Sequence, residues 1–133
     1  MKFVDLRLLT IEEAKNLSIE FLTYENWWWL QSPGHDPSHA ARIDYGGLVH
    51  SNGIYVDYTS GAVRPALVCE NVDDYLQVGE EYYIDVFKWL YVGEDKFLYN
   101  DDSICHCFDT KSNNYENSSI KRFLDSWKRG LAW

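Results

Sequence analysis

Two cysteines and two histidines are the side chains of this sequence best suited to hold a metal ion. Cys105 and Cys107 flank His106, and in a strand this alternation places both sulfur atoms on one face. His35 and His39 lie in a polar stretch that could add two imidazoles, and a structural zinc ion takes four sulfur or nitrogen ligands. The spacing matches no standard zinc signature. The set therefore predicts either a zinc site, with a zinc-dependent enzyme as one consequence, or buried cysteines and surface histidines without a cofactor.

Carboxylates dominate the charged residues and indicate a protein partner. The chain has 21 acidic and 12 basic residues, and its formal net charge is −9. A charge of this sign repels phosphate and argues against direct nucleic-acid binding. It favours a partner protein with a basic surface, although acidity also serves solubility alone. The acids expected to bind are Asp73, Asp74, Glu80, Asp101 and Asp102.

No sequence signature of catalysis accompanies these acids. The chain contains no G-x-S-x-G nucleophile elbow, no phosphate-binding loop and no H-E-x-x-H metalloprotease motif. Adjacent acids in loops are usually solvated, and a glycosidase would need two of them to converge in a cleft. The residues therefore favour a non-catalytic binding protein over an enzyme.

Three consecutive tryptophans, Trp27, Trp28 and Trp29, cannot share one face of a strand. Successive strand side chains point to opposite sides, so this strand either lies between two packed layers or presents a large aromatic surface to a partner. Tyrosine and tryptophan dominate binding hot spots. The candidates for a recognition surface are Trp27, Trp29, Tyr45, Tyr55 and Tyr58. The alternative is that these rings complete the core.

The N-terminal elements that precede the tryptophans follow from periodicity and capping. Apolar and polar residues alternate over residues 3–9, which predicts a half-buried strand. Thr10 and Glu13 have capping-box spacing. A helix is therefore expected to begin at Ile11 and to end near Leu17 or one turn later.

Turn signals divide the middle of the chain into strands. Short apolar segments separated by glycine-containing turns between residues 40 and 67 predict an antiparallel meander. Further strands are expected at residues 81–91, 96–99 and 103–108. Polar loops are expected at residues 34–40, 70–80 and 109–117.

The clearest amphipathic pattern lies near the C-terminus. Its apolar residues are Ile120, Phe123, Leu124 and Trp127. Their i, i+3, i+4, i+7 spacing predicts a helix over about residues 118–129 with all four side chains buried. The fold class that results is α+β, with one compact domain over residues 1–133, a twisted antiparallel sheet, a short-strand meander and two helices.

Two segments of the chain resemble a known family signature. Residues 28–34 read W-W-L-Q-S-P-G and residues 62–67 read A-V-R-P-A-L. They resemble the W-W-L-R-S-P-G … G-V-R-P-A-L signature of an uncharacterised bacterial and phage domain family, over about residues 26–68. Arg64, the arginine of this signature, stands beside a proline and is expected to anchor a carboxylate or loop carbonyls rather than a ligand.

A third segment resembles the same family in a different chain position. Residues 118–124 are similar to its S-x-I-R-x-W-L element, which in the family precedes the tryptophan segment and here follows it. The order implies a circular permutation, which is possible because domain termini often lie close together. Strand 1–9 is then expected beside the C-terminal part of the chain, with Met1 near Trp133.

The resemblance implies a C-type-lectin-like fold, shared with formylglycine-generating enzymes and retroelement-diversified receptors. It implies no activity, because a fold hosts many functions and this family has none established. Its phage-borne members favour an inhibitor, encoded by a phage or mobile element, of a basic, nucleic-acid-binding host factor, in the manner of an anti-CRISPR protein. The alternatives are a ligand, glycan or cell-surface recognition module and the zinc-dependent enzyme.

The sequence also predicts where the protein acts. It has no apolar run of about twenty residues, so no membrane contact is expected. Asp5 and Arg7 stand where a signal peptide would be apolar. Three cysteines, an odd number, suit a reducing compartment. The expected location is the cytoplasm, that of the host cell if a phage encodes the protein.

Overall fold

Two antiparallel sheets carry the fold in the computed structural model, which describes residues 1–131. The strands are β1 Lys2–Arg7, β2 Trp28–Pro33, β3 His39–Ile43, β4 Val49–Tyr55, β5 Ala66–Glu70, β6 Glu81–Ile84, β7 Phe87–Gly93 and β8 Lys96–Tyr99. The helices are α1 Ile11–Lys15, α2 Ile19–Leu22 and α3 Ser119–Arg129, with a 3-10 turn at Tyr115–Asn117. The larger sheet has the order β1-β5-β8-β7-β6 and the smaller sheet the order β2-β3-β4, which confirms a compact α+β domain.

The first helix begins at its predicted capping box but ends early. The Thr10 hydroxyl accepts from the Glu13 backbone N–H at 3.1 Å, and the Glu13 carboxylate accepts from the Thr10 N–H at 3.0 Å. α1 ends at Lys15, because the Asn16 N–H donates to the Glu13 carbonyl at 3.2 Å in a tighter turn. A separate α2 follows Ser18, so residues 1–131 contain three α-helices where two were predicted.

The strand predicted over residues 81–91 is a hairpin of two strands. Ile84 pairs with Phe87 across a two-residue turn, so β6 and β7 run antiparallel. Asp85 in this turn adopts a left-handed φ of 60°, a conformation that aspartate tolerates better than most residues. The apolar pattern of residues 81–91 therefore did not reveal the turn between the two strands.

The predicted meander is divided between the two sheets. β3 pairs with both β2 and β4 in the smaller sheet, whereas β5 crosses to the larger sheet and lies between β1 and β8. The strand predicted at residues 103–108 reduces to one bridge, between Cys105 and Ala62. Its backbone makes single hydrogen bonds instead of a ladder, for example from the Val63 N–H to the Ile104 carbonyl at 2.7 Å.

β2 lies between two packed clusters of buried side chains, which confirms the two-layer interpretation of the tryptophans. One cluster includes Trp29, Trp89, Phe97, Phe108 and Ile120. The other includes Trp28, Leu9, Leu22, Leu98 and Ile43. Trp28 and Trp29 are both 0% exposed, so the prediction that Trp29 binds a partner is wrong. Its neighbour Trp27 is half-buried and packs edge-on against it, with ring centroids 4.8 Å apart.

α3 forms as predicted, but only half of its apolar face is buried. The Ser118 hydroxyl caps the helix by accepting from the Lys121 N–H at 3.1 Å. Ile120 and Leu124 are 0% exposed. The two aromatic residues of the face, Phe123 and Trp127, are half-buried because they line an apolar surface groove.

The first strand lies beside the C-terminal helix, as the permutation predicts. The Lys128 ammonium lies 3.2 Å from the Asp5 carboxylate, and α3 packs along β1. The expected proximity of Met1 to Trp133 lies outside the described residues. Among residues 1–131, no helix has the length and apolar character needed to cross a bilayer.

Truncation of the two faces of α3 should give different losses of stability. We expect Leu124→Ala to lower the free energy of unfolding by about 2–5 kcal/mol, because it removes a fully buried side chain. Phe123→Ala should cost less, since part of its ring already meets solvent. Urea denaturation measures both losses. An equal or larger loss for Phe123→Ala would contradict this account of the helix.

Stability should also fall in acid through Glu13. Burial acts to raise the pKa of this carboxyl, but hydrogen bonds from Arg7 and from the Thr10 backbone outweigh burial and lower the pKa from 4.5 to about 2. The stabilisation is therefore present above pH 4.5 and is lost as the pH falls towards 2. Urea midpoints at pH 6 and pH 3 should differ less in Glu13→Gln than in the wild type. If the difference between the two urea midpoints is the same in Glu13→Gln as in the wild type, Glu13 does not cause the loss of stability in acid.

Candidate functional site

Two of the predicted metal ligands meet in a loop, together with an acid between them. The loop spans residues 34–39 and is called the His–Asp–His loop below. The His35 Nε2 atom lies 3.1 Å from Asp36 Oδ2, and the His39 Nδ1 atom lies 2.8 Å from Asp36 Oδ1. One ligand atom from each of the three residues lies within 4.8 Å of the others. Such a set of imidazoles and carboxylate can coordinate a transition metal.

The backbone of the His–Asp–His loop is held from outside the loop. The Asn113 amide donates to the carbonyls of Asp36 and His39, each at 3.0 Å. A side chain at Gly34 would place its Cβ 2.4 Å from the Asn52 carbonyl oxygen, so only glycine fits there. Hydrogen bonds from Ser38 and His39 hold the pKa of Asp36 far below its ordinary value.

The predicted cysteine ligands do not join this set. Cys105 is exposed, with its sulfur 3.5 Å from the Asn26 amide, and the Cys107 sulfur lies 3.7 Å from the Ser119 hydroxyl. Within residues 1–131, the one group of three or more metal-ligating side chains contains no cysteine. The predicted cysteine–histidine set is therefore wrong, and Asp36 was missed although it directly follows His35.

The predicted aromatic surface separates into two parts. His35, His39, Tyr55 and Tyr58 form a row of ring contacts, with successive centroids 4.3, 4.3 and 5.9 Å apart. Antiparallel pairing of β3 with β4 places His39 opposite Tyr55, and this pair forms the middle of the row. Tyr45 lies at the opposite end of the β3–β4 hairpin, where its carbonyl accepts from the Tyr24 N–H at 3.3 Å. Tyr45 therefore cannot share a contact surface with Tyr55 and Tyr58.

Arg64 is buried and binds backbone carbonyls, as its place in the signature predicted. Its Nε donates to the Tyr99 carbonyl at 2.7 Å and its Nη1 to the Phe21 carbonyl at 2.7 Å. Its Nη2 donates to the Asn100 side-chain oxygen at 2.9 Å. The planar guanidinium thus joins α2 to the end of β8.

The charge of Arg64 is stabilised by aromatic rings rather than by a carboxylate. The guanidinium carbon lies 4.7 Å from the Tyr24 ring centroid and 5.0 Å from that of Trp28. Burial lowers the pKa of Arg64 to about 9, so the group stays protonated at neutral pH. None of the ion pairs found within the described part of the chain includes Arg64.

A polar cleft of about 260 Å³ opens beside the guanidinium. We call it the Arg64 cleft, and its lining consists of Glu20, Phe21, Thr23, Arg64, Gly79, Glu81, Leu90 and Asn100. The Glu81 carboxylate accepts from the Asn100 amide at 2.8 Å and lies 3.7 Å from the Lys88 ammonium. A chain of polar contacts thus runs from the buried cation to an acid at the surface.

Further acids surround the Arg64 cleft. Asp101 directly follows Asn100, and its Oδ2 accepts from the Lys88 backbone N–H at 2.9 Å. The Tyr24 hydroxyl donates to the Asp101 carbonyl. The Glu25 carboxylate accepts from the backbone N–H and the hydroxyl of Ser103 at 3.1 and 2.9 Å, next to the exposed Asp102. We define the acidic surface as the lining acids Glu20 and Glu81, together with Glu80, which directly precedes Glu81, and with Glu25, Asp101 and Asp102.

The five acids predicted to bind do not form one surface. Asp73 and Asp74 are exposed in the loop that follows β5, whereas Asp101 and Asp102 follow β8. β5 and β8 are antiparallel neighbours, so the chain leaves them at opposite ends of the sheet. Glu80 ends the first loop directly before Glu81, a residue of the Arg64 cleft. The sequence could not show this separation, because it depends on strand pairing.

Exposed apolar side chains adjoin the acidic surface. Ile19, Tyr45 and Leu48 are 53%, 71% and 58% exposed, and we call them the apolar patch. The turn at Gly47 packs on α2, since a Cβ there would lie 2.8 Å from the Ile19 side chain. α2 also supplies Glu20, so the apolar patch and the Arg64 cleft share one helix.

Comparison of the chain with protein-family models, with curated proteins and with solved structures finds no match. The resemblance to the W-W-L-R-S-P-G family therefore stays a prediction.

The three hydrogen bonds of the Arg64 guanidinium should be needed to hold α2 against the end of β8 beside the cleft. We expect Arg64→Lys to lower the free energy of unfolding by about 1–3 kcal/mol, because a single ammonium in this buried position cannot reach the half-buried acceptors on Phe21 and Asn100 as well as the Tyr99 carbonyl. Arg122→Lys, an exposed matched control, should change stability by less than about 0.5 kcal/mol. Thermal and urea denaturation measure both. A loss no larger than that of the control would show that one contact suffices to hold α2 against β8.

Proposed function

We propose that this protein is a non-catalytic binding module that docks a basic surface of another protein, and that it inhibits or sequesters that partner. The docking surface is the acidic surface around the Arg64 cleft together with the apolar patch. The observation that carries the proposal is the convergence of Glu20 and Glu81 on the Arg64 cleft from two separate segments, with Asp101 directly after the lining residue Asn100 and exposed apolar side chains alongside.

The chemistry of this surface suits a partner rich in lysine and arginine. Six carboxylates belong to it, against the cations Arg64, which is buried, and Lys88, which is half-buried beside Glu81. Opposite charge accelerates association and excludes acidic competitors. The apolar patch supplies area that can be desolvated, and an exposed tyrosine such as Tyr45 is a frequent hot-spot residue.

We further propose a C-type-lectin-like arrangement for the two sheets and a cytoplasmic site of action. The first suggestion is supported by the packing of β1 against α3, which would allow the ends of the family domain to be rejoined at a new point. The second is supported by Cys69, Cys105 and Cys107, which are all free thiols. A nucleic-acid-binding host factor is a partner of suitable charge.

Charge reversal at the cleft should abolish partner binding in a salt-dependent way. The test variant is Glu20→Lys/Asp102→Lys, and the matched control is Asp73→Lys/Asp74→Lys, which changes net charge equally at the other end of the sheet. Each immobilised protein is used to capture a partner from bacterial lysate, and the dissociation constant for that partner is then measured. We expect the test variant to weaken binding by about tenfold or more at about 0.05 M salt, and much less at about 0.5 M.

The control separates local recognition from net acidity. Binding by Asp73→Lys/Asp74→Lys should match the wild type within about twofold, because its acids lie outside the acidic surface. If the two variants weaken binding equally, net charge alone attracts the partner. If neither weakens it, the acidic surface is not the docking site and the acids serve solubility.

A further inference from the structure

We propose that the His–Asp–His loop is a binding site for a divalent first-row transition metal, with Zn²⁺ as the expected ion. Its ligands are His35 Nε2, the Asp36 carboxylate and His39 Nδ1. The site is independent of the proposed function, because it lies at the end of the β3–β4 hairpin opposite to Tyr45.

The ligand atoms already stand at separations that a metal requires. Two ligands of a tetrahedral metal, with bonds of about 2.1 Å, lie about 3.4 Å apart. His35 Nε2 lies 3.1 Å from Asp36 Oδ2 and His39 Nδ1 lies 2.8 Å from Asp36 Oδ1, and one ligand atom from each of the three residues lies within 4.8 Å of the others. These values bracket the required distance, so a bound ion needs only small movements of side chains.

The orientation of His35 provides a second observation. Its Nδ1 atom lies 3.3 Å from the Asn52 carbonyl oxygen, which can only accept a hydrogen bond. Nδ1 therefore donates to that carbonyl, which leaves Nε2, the atom that faces the Asp36 carboxylate, to bind a metal when the ion displaces the proton shared with Asp36. A backbone carbonyl that fixes the tautomer in this way is the usual outer partner of a metal-ligating histidine.

The loop is preorganised for binding. Asn113 holds the carbonyls of Asp36 and His39, and the Val56 N–H donates to the Ser38 carbonyl at 2.8 Å. The fixed backbone lowers the ordering cost that an ion must otherwise overcome. Binding also relieves the crowding of two imidazoles around one carboxylate, because the metal takes the place of their shared protons.

The ligand types select the class of metal. Two imidazole nitrogens and one carboxylate suit zinc, nickel, copper or iron, whereas calcium and magnesium prefer oxygen alone. Three protein ligands leave at least one position open on a four-coordinate ion. The ring centroids of His39 and Tyr55 lie 4.3 Å apart, so an additional ligand at the open position of the metal would lie near exposed tyrosines.

Calorimetric titration of the full chain with Zn²⁺ tests the site. We expect the wild type to bind one equivalent, and His35→Ala or His39→Ala to weaken binding at least ~10-fold. His50→Ala is the matched control, because His50 also pairs with an aspartate, Asp44 at 2.9 Å, but lacks a third ligand. It should bind zinc as the wild type does.

A second control addresses the cysteines. Cys105→Ser/Cys107→Ser should retain full binding, because neither sulfur belongs to the site. Far-ultraviolet circular dichroism establishes whether each variant is folded. Because His35 is exposed, the His35→Ala variant still tests the site if His39→Ala does not fold. The proposal is overturned if the wild type binds no zinc at micromolar concentration. It is equally overturned if His35→Ala binds normally, or if the cysteine variant loses binding.

Discussion

A buried arginine determines how the two sheets of this protein meet. A charge removed from water needs hydrogen-bond partners, and each of the three guanidinium nitrogens of Arg64 donates to a carbonyl or amide oxygen instead of a carboxylate. These acceptors lie at the end of α2 and after β8, so both segments must stay where the guanidinium can reach them. Trp28 of the smaller sheet and Tyr24 cover the faces of its plane. The cleft beside Arg64 and the acids around it exist because these segments converge there.

The β3–β4 hairpin separates two surfaces of different chemistry. At one end, its turn packs on α2 and presents Tyr45 and Leu48 beside the Arg64 cleft. At the other end, the pairing of His39 with Tyr55 brings imidazole and phenol rings into contact. Because the length of the paired strands separates the two ends, the two surfaces share no side chains. Opposite ends of the larger sheet separate the predicted acids in the same way.

Local signals in the sequence determined local structure well. The Thr10–Glu13 capping box began α1, and the spacing around Leu124 produced α3. The three consecutive tryptophans predicted a strand that either lies between two layers or presents an aromatic surface, and the two buried clusters show that the first alternative holds. The starts of α1 and α3 depend on interactions within a few residues, so capping and periodicity are sufficient to find them. The acidic charge followed from composition, and the role of Arg64 as an anchor was expected from its place beside a proline in the family signature that the chain resembles.

Tertiary structure alone decided which of these residues share a surface. Periodicity gives the direction of a side chain relative to its own backbone, but not what covers that direction. Trp29 is therefore core while Tyr55 is exposed, although both were equal candidates. Strand pairing placed Asp73 and Asp101 at opposite ends of one sheet. The crossing of β5 to the larger sheet depends on contacts between residues distant in sequence, and so does the separation of the cysteines from the histidines. Such contacts form only when the whole chain packs, because register and layer order depend on all strands together.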